Sequence, residues 1–121
     1  MLRFGEKPVY LCCGHTDMRK SINGLMALVQ GSFSLDPFAE ALYVFCNLRR
    51  DRMKMLEWDG DGFWLYFKRL ERGRFRWPNA DGENTMILTG EEMRHLIGAQ
   101  NWIRNYGERW SQSARSHRET S

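Results

Sequence analysis

Apolar and polar positions along the chain fall into short blocks of different period. Residues 9–13 form a continuous apolar run closed by Gly14, which predicts a buried strand ending in a turn. Directly after it, Met18, Ile22, Leu25, Met26, Val29 and Phe33 recur at spacings of three and four, so a helix would carry them on one stripe. Thr16 or Asp17 is suited to cap that helix, because a short oxygen side chain accepts a hydrogen bond from an otherwise orphaned backbone N–H. Gly24 weakens its interior, and Gly31 suits a left-handed residue just past its end.

Asp36-Pro37 marks a return loop, after which residues 41–46 are rich in β-branched and aromatic side chains at strand length. Residues 52–58 then alternate roughly between polar and apolar up to Asp59-Gly60-Asp61-Gly62, a strong hairpin signal. Either Asp59-Gly60 or Gly60-Asp61 can form the apex, and both choices keep the same parity. Lys54, Leu56 and Trp58 thus share a face with Phe63, Leu65 and Phe67, while Met53 and Met55 share the other with Trp64, Tyr66 and Lys68. Both faces are largely apolar and need cover, the first helix on one side and the C-terminal segment or a partner on the other.

Arg72-Gly73 predicts a turn into a short strand over residues 74–77, ended by Pro78. Residues 79–84 read as loop and residues 85–88 as a last strand. Thr89-Gly90-Glu91-Glu92 has capping-box spacing and starts a helix containing Met93, Leu96 and Ile97, which Gly98 stops. From Tyr106 onward apolar groups are too few to offset the entropy of ordering. The expectation is therefore an α+β fold: one domain over residues 1–105 and a loose tail over residues 106–121. Its order is strand, helix, antiparallel meander and short C-terminal helix, with four or five strands in all. A length of 121 residues agrees with one domain, and no internal repeat is visible.

Composition narrows the function classes. With 42% hydrophobic and 27% charged residues the chain is of globular type. Its longest apolar runs fall far short of the roughly 20 residues that span a bilayer, and residues 1–6 lack a signal-peptide core, so a cytoplasmic protein without a membrane partner is expected. Three cysteines in that compartment read as reduced thiols, with adjacent Cys12 and Cys13 facing opposite sides of a strand. Cys12, Cys13, His15 and Cys46 are of zinc-ligating type, but they lack paired ligand spacing, and small buried strand residues account for them better. No metal or cofactor is expected. The carboxylates Asp17, Asp59, Asp61, Glu71 and Asp81 are scattered over turns, and no Cys or Ser sits in a recognisable nucleophile arrangement, so no catalytic residue is assigned. A hydrolase is the residual alternative.

Net charge is only +3, yet its distribution is uneven. Residues 1–48 are neutral overall, residues 77–121 carry −1, and residues 49–76 carry +4. Arg49, Arg50, Arg52 and Lys54 enter the hairpin while Lys68, Arg69, Arg72, Arg74 and Arg76 leave it, so antiparallel pairing gathers both groups at one end of the sheet. Such a patch can neutralise phosphates, and neighbouring Trp and Tyr rings can stack on bases if exposed. The competing reading is a solvated face in which these cations pair with Asp51, Glu57 and Glu71.

Four ordered blocks carry a family resemblance. They are residues 14–25 (Gly-His-Thr-Asp-Met-Arg-Lys-Ser-Ile-Asn-Gly-Leu, with Val29-Gln30 following), residues 42–47 (Leu-Tyr-Val-Phe-Cys-Asn), residues 54–60 (Lys-Met-Leu-Glu-Trp-Asp-Gly) and residues 67–78 (Phe-Lys-Arg-Leu-Glu-Arg-Gly-Arg-Phe-Arg-Trp-Pro). Over roughly residues 9–96 the chain resembles the Orf2-like accessory family of IS66-type bacterial insertion sequences. Cys12-Cys13 and the stretch after Trp102 lie outside the pattern. The resemblance implies a mobile-element protein needed for transposition beside a second small accessory protein and a larger transposase, which carries the acidic catalytic residues. It implies no catalysis here.

Two expectations follow. The first is a DNA-binding accessory factor contacting phosphates through Arg19, Lys20, Arg49, Arg50, Arg52, Lys54, Lys68, Arg69, Arg72, Arg74 and Arg76. The second is an adaptor that docks on the transposase through the aromatic face bearing Trp64 and Tyr66, with only nonspecific DNA affinity. Homo-oligomerisation is left open.

Overall fold

A computed structural model describes residues 7–79 and 84–97. Strand β1 (Val9–Cys12) is followed by helix α1 (Ile22–Gln30), strands β2 (Leu42–Cys46), β3 (Arg52–Trp58), β4 (Phe63–Arg69) and β5 (Thr85–Leu88), and helix α2 (Gly90–Ile97). They build one five-stranded sheet in the order β4-β3-β2-β1-β5. The fold is α+β as expected, with one difference in topology. β1 pairs with β2 in parallel across α1, and β5 returns to the far side of β1 in antiparallel register. The sheet is thus mixed, and the meander is confined to β2, β3 and β4.

The β3–β4 hairpin has the expected parity, with Trp58 opposite Phe63 and Lys54 opposite Phe67. Gly60-Asp61 forms the apex: the Asp59 N–H donates to Gly62 O at 3.0 Å, and Gly60 takes the positive φ of 103° that a tight hairpin requires first. Alternation then divides the core into two layers. Val9, Leu11, Leu42, Val44, Met53, Met55 and Tyr66 lie on one face, and Cys12, Tyr43, Phe45, Leu56 and Leu65 on the other. Cys12 and Cys13 do point to opposite sides.

α1 covers the second face with Ile22, Leu25 and Val29. It begins later than its apolar stripe suggested. Ser21 stands at the N-cap without a side-chain cap bond, while Asp17, expected as a cap, is engaged by the backbone N–H and guanidinium of Arg19. Gly31 closes the helix in right-handed conformation (φ −85°), and the positive φ falls instead on Ser34.

The first face is covered by the segment after β4 and by α2. Residues 74–77, expected as a strand, run without ladder pairing across this face, so that Phe75 and Trp77 are buried in the core layer. The Trp77 indole N–H donates to Cys12 O at 2.9 Å. α2 starts with the expected capping box: the Thr89 N–H donates to Glu92 Oε1 at 2.9 Å and the Glu92 N–H to Thr89 Oγ1 at 3.1 Å. Met93 drops from α2 into the same layer. The expected tail over residues 106–121 lies outside the described residues.

Candidate nucleic-acid interface

The mixed pairing fixes which loops meet. The exits of β1, β2 and β4 and the entrance of β3 lie at one end of the sheet, which brings together residues 13–21, 47–51 and 70–79. Main-chain bonds fasten these loops to one another. The Thr16 N–H donates to Cys46 O at 2.8 Å, the Leu70 N–H to Asp51 O at 2.7 Å, and the Phe75 N–H to Arg50 O at 2.7 Å.

Asn47 organises the central loop. Its amide oxygen accepts from the N–H groups of Asp51 and Arg52, both at 3.0 Å, and its amide nitrogen donates to the Asp51 carboxylate at 2.7 Å. That bond holds the Asp51 carboxyl below its ordinary range. The turn places Arg50 at φ 64°, where side chains other than glycine are uncommon. From there the Arg50 guanidinium donates to Trp77 O and, at 2.7 Å, to Asn79 Oδ1. Arg50 thereby straps residues 75–79 onto the sheet end.

The cations expected in a patch do gather here, with two exceptions in role. Arg49, Arg72, Arg74 and Arg76 are exposed and make no ion pair among the described residues. Arg52 pairs with Asp51 at 3.6 Å and opposes Arg69 across the ladder, while Arg69 pairs with Glu71 at 2.8 Å. Lys68 precedes Arg69 on the edge strand, half-buried. Arg19 is exposed and forks onto Asp17 at 2.7 Å, pushing that carboxyl down to about 2 through hydrogen bonding. Lys20 lies beside it, half-buried, in the same loop. Of the pairings in the solvated-face reading, Arg52 meets Asp51 and Arg69 meets Glu71, whereas Glu57 is taken by Lys7.

Arg50 is one exception, since its head is committed to the strap. Lys54 is the other and corrects the expectation: it is only 4% exposed, its ammonium donates to Lys20 O at 2.8 Å, and its charge lies 5.9 Å from the Phe67 ring centre. Its position between Leu56 and Phe67 on the α1 face buries it.

The aromatic face is also corrected. Tyr66 is buried beneath the strap, its hydroxyl donating to Glu57 Oε1 at 2.9 Å, and Glu57 takes a second bond from Lys7 at 2.6 Å. Trp64 stacks on Tyr66 at 6.2 Å and donates its indole N–H to Asp59. Of the two rings, Tyr66 is thus closed off and Trp64 stays half-buried.

Beside the basic end, Cys13, His15, Asp17, Lys20 and Phe33 line a pocket of about 320 Å³. Asp17 is taken by Arg19, Cys13 Sγ faces Leu11 O at 3.9 Å, and among the described residues no hydrogen bond joins His15 to either. A nucleophile relay is not assembled there. The described residues contain no cluster of three or more metal-ligating side chains, and the three cysteines are buried. No helix among them is long and apolar enough to cross a membrane.

The opposite end of the sheet has the reverse charge. Asp36, Glu40, Asp59, Asp61, Glu91 and Glu92 are exposed around the hairpin apex, the loop before β2 and the start of α2. Asp59 is held below its ordinary range by the Trp64 bond, and its proximity raises Asp61. The hairpin reading already set Asp59 and Asp61 apart from the arginines, but the arrival of Asp36, Glu40, Glu91 and Glu92 at the same end depends on the pairing of β1 with β2 and β5.

A small α+β domain with a strapped basic end is the class that fold and surface define. Residues 7–106 match the family described as IS66 Orf2 like protein, and the chain belongs to that family. It is similar to the uncharacterized protein y4hO of Sinorhizobium fredii, 35% identical over 102 residues that cover 84% of this chain and 87% of that one. The uncharacterized protein y4jC of the same organism is 35% identical over 88 residues, covering 73% and 74%. No solved structure matches. Membership points to an accessory role in IS66 transposition.

Proposed function

We propose that the protein is a non-catalytic accessory factor that holds DNA of the insertion sequence through its basic end and works beside the transposase and a second small accessory protein. One observation carries this reading: three loops distant in sequence are hydrogen-bonded into a single end where Arg72, Arg74 and Arg76 are exposed without an ion pair among the described residues, beside exposed Arg49, which feels Asp51 only through space. Guanidinium groups in that state can each take a phosphate, releasing condensed counterions. Arg52, Lys68, Arg69, Arg19 and Lys20 extend the surface, while Arg50 shapes it from beneath. An adaptor surface on the aromatic face would rest on the half-buried Trp64, since Tyr66 is buried.

Fluorescence anisotropy with labelled element-end duplex, a scrambled duplex and a salt series tests the reading, with and without transposase. The variant Arg72→Glu/Arg74→Glu should bind at least tenfold more weakly than the parent while keeping its circular dichroism spectrum. Equal binding by the folded variant removes the patch from consideration. Preference for the true end by the protein alone makes it an end-recognition factor. Preference arising only with transposase makes it a partner in a joint complex.

A further inference from the structure

At the acidic end three rings pack against one another on the surface. Phe38, 45% exposed, meets Trp58 edge-on at 5.0 Å and Phe63 at 5.4 Å, and Trp58 and Phe63 are themselves 5.0 Å apart. Asp36, Glu40 and Asp61 are exposed on the loops that carry or flank these rings. A ring cluster rimmed by carboxylates favours cations that also carry apolar surface, above all guanidinium groups, which stack on ring faces and pair with carboxylates. This molecule has such a surface at its other end. There Arg72, Arg74 and Arg76 are exposed, and Leu48, 69% exposed, lies on another loop of the same end.

We infer that the aromatic acidic end receives the basic end of a second copy of this chain, giving a head-to-tail contact. The two surfaces are complementary in charge and in apolar content and lie at opposite ends of one sheet. They cannot meet within one molecule. Joining unlike surfaces is a heterologous association, which leaves one free end of each kind and so permits growth beyond two copies. The contact does not depend on DNA binding at the basic end, and its test is made on nucleic-acid-free protein.

Sedimentation velocity of the full chain over a concentration series is the experiment, at about 50 mM and 500 mM salt, a range over which exposed charge contacts weaken strongly. Concentration-dependent association at low salt that dissolves at high salt is expected. Two variants define its polarity: Glu40→Gln/Asp61→Asn removes charge from the acidic end, and Arg74→Gln/Arg76→Gln from the basic end. All four positions are exposed, and each variant should be monomeric alone and native by circular dichroism. Mixed together they should form a dimer that does not grow, because each supplies the end the other lacks. A parent that stays monomeric throughout the series overturns the inference. So does association that both variants retain, or a mixture that fails to associate. Because sedimentation is read on nucleic-acid-free protein and anisotropy on labelled duplex, failure of the self-contact and failure of the DNA reading are told apart.

Discussion

At the scale of single residues, Arg50 joins loop geometry to surface shape. Its left-handed backbone turns the carbonyl toward Phe75 and its side chain toward Trp77 and Asn79. Arg50→Ala should destabilise the protein by about 1–3 kcal/mol in urea unfolding, through loss of charge-assisted bonds to the strap. Arg50→Gly should cost less, by about 1 kcal/mol, since glycine accepts positive φ without strain. Equal losses in the two variants would show that the backbone stores no strain there. Buried acids give a second prediction. Burial raises the Cys46 thiol and the Tyr43 phenol, each to about 12, and pushes the Cys12 thiol up as well. Unfolded thiols ionise near about 8.5 and phenols near about 10. The unfolded chain therefore binds fewer protons than the folded one in between, and stability should decline as pH rises from about 8.5 toward 12. Urea midpoints measured at pH 7.5 and 10 check this, and Cys46→Ala should flatten the slope. A midpoint that rises over that interval contradicts it.

Among the elements, the strap over residues 74–79 differs most from its sequence reading. Aromatic residues, a flanking turn and Pro78 indicated a short strand, but the local pattern does not distinguish a ladder strand from an extended segment lying across a face. Trp77→Ala removes a buried indole and its bond to Cys12 O, and should cost about 3–5 kcal/mol by thermal unfolding. A loss below about 1 kcal/mol would mean the face does not depend on this cover. What was legible follows from period. Two-residue alternation assigned the faces of β3 and β4, and the capping box located the start of α2. Pairing partners were not legible, because alternation reports faces rather than neighbours, so the parallel β1–β2 pairing and the placing of β5 beside β1 emerged only in three dimensions. Lys54 lay on an apolar face by parity, but its bond to Lys20 O depends on the path of the loop before α1.

At the scale of the whole molecule, the sheet sorts charge that the sequence mixes. Asp59 and Asp61 lie only a few positions from Lys68 and Arg69 along the chain, yet the strand length of β4 puts them at opposite ends. Net charge therefore understates the potential at the basic end, and an approaching polyanion meets an oriented molecule. For the proposed DNA complex, the salt slope should reflect the basic end alone, falling by about 0.9 for each phosphate that a variant no longer neutralises. The Arg72→Glu/Arg74→Glu series measures this, and an unchanged slope would mean that DNA is held elsewhere.

The position of β1 between β2 and β5 also governs the order in which the fold can close. β1 is the first strand to leave the ribosome, but its neighbour β5 is the last, and both the Cys13 N–H and the indole of Trp77 join residues near its end to later parts of the chain. The β2–β3–β4 meander pairs only near neighbours in sequence and can form early, whereas β1 keeps an unpaired edge until β5 has been made. The three loops of the basic end, residues 13–21, 47–51 and 70–79, all precede β5, so that end can gather while the outer edge of β1 is still bare.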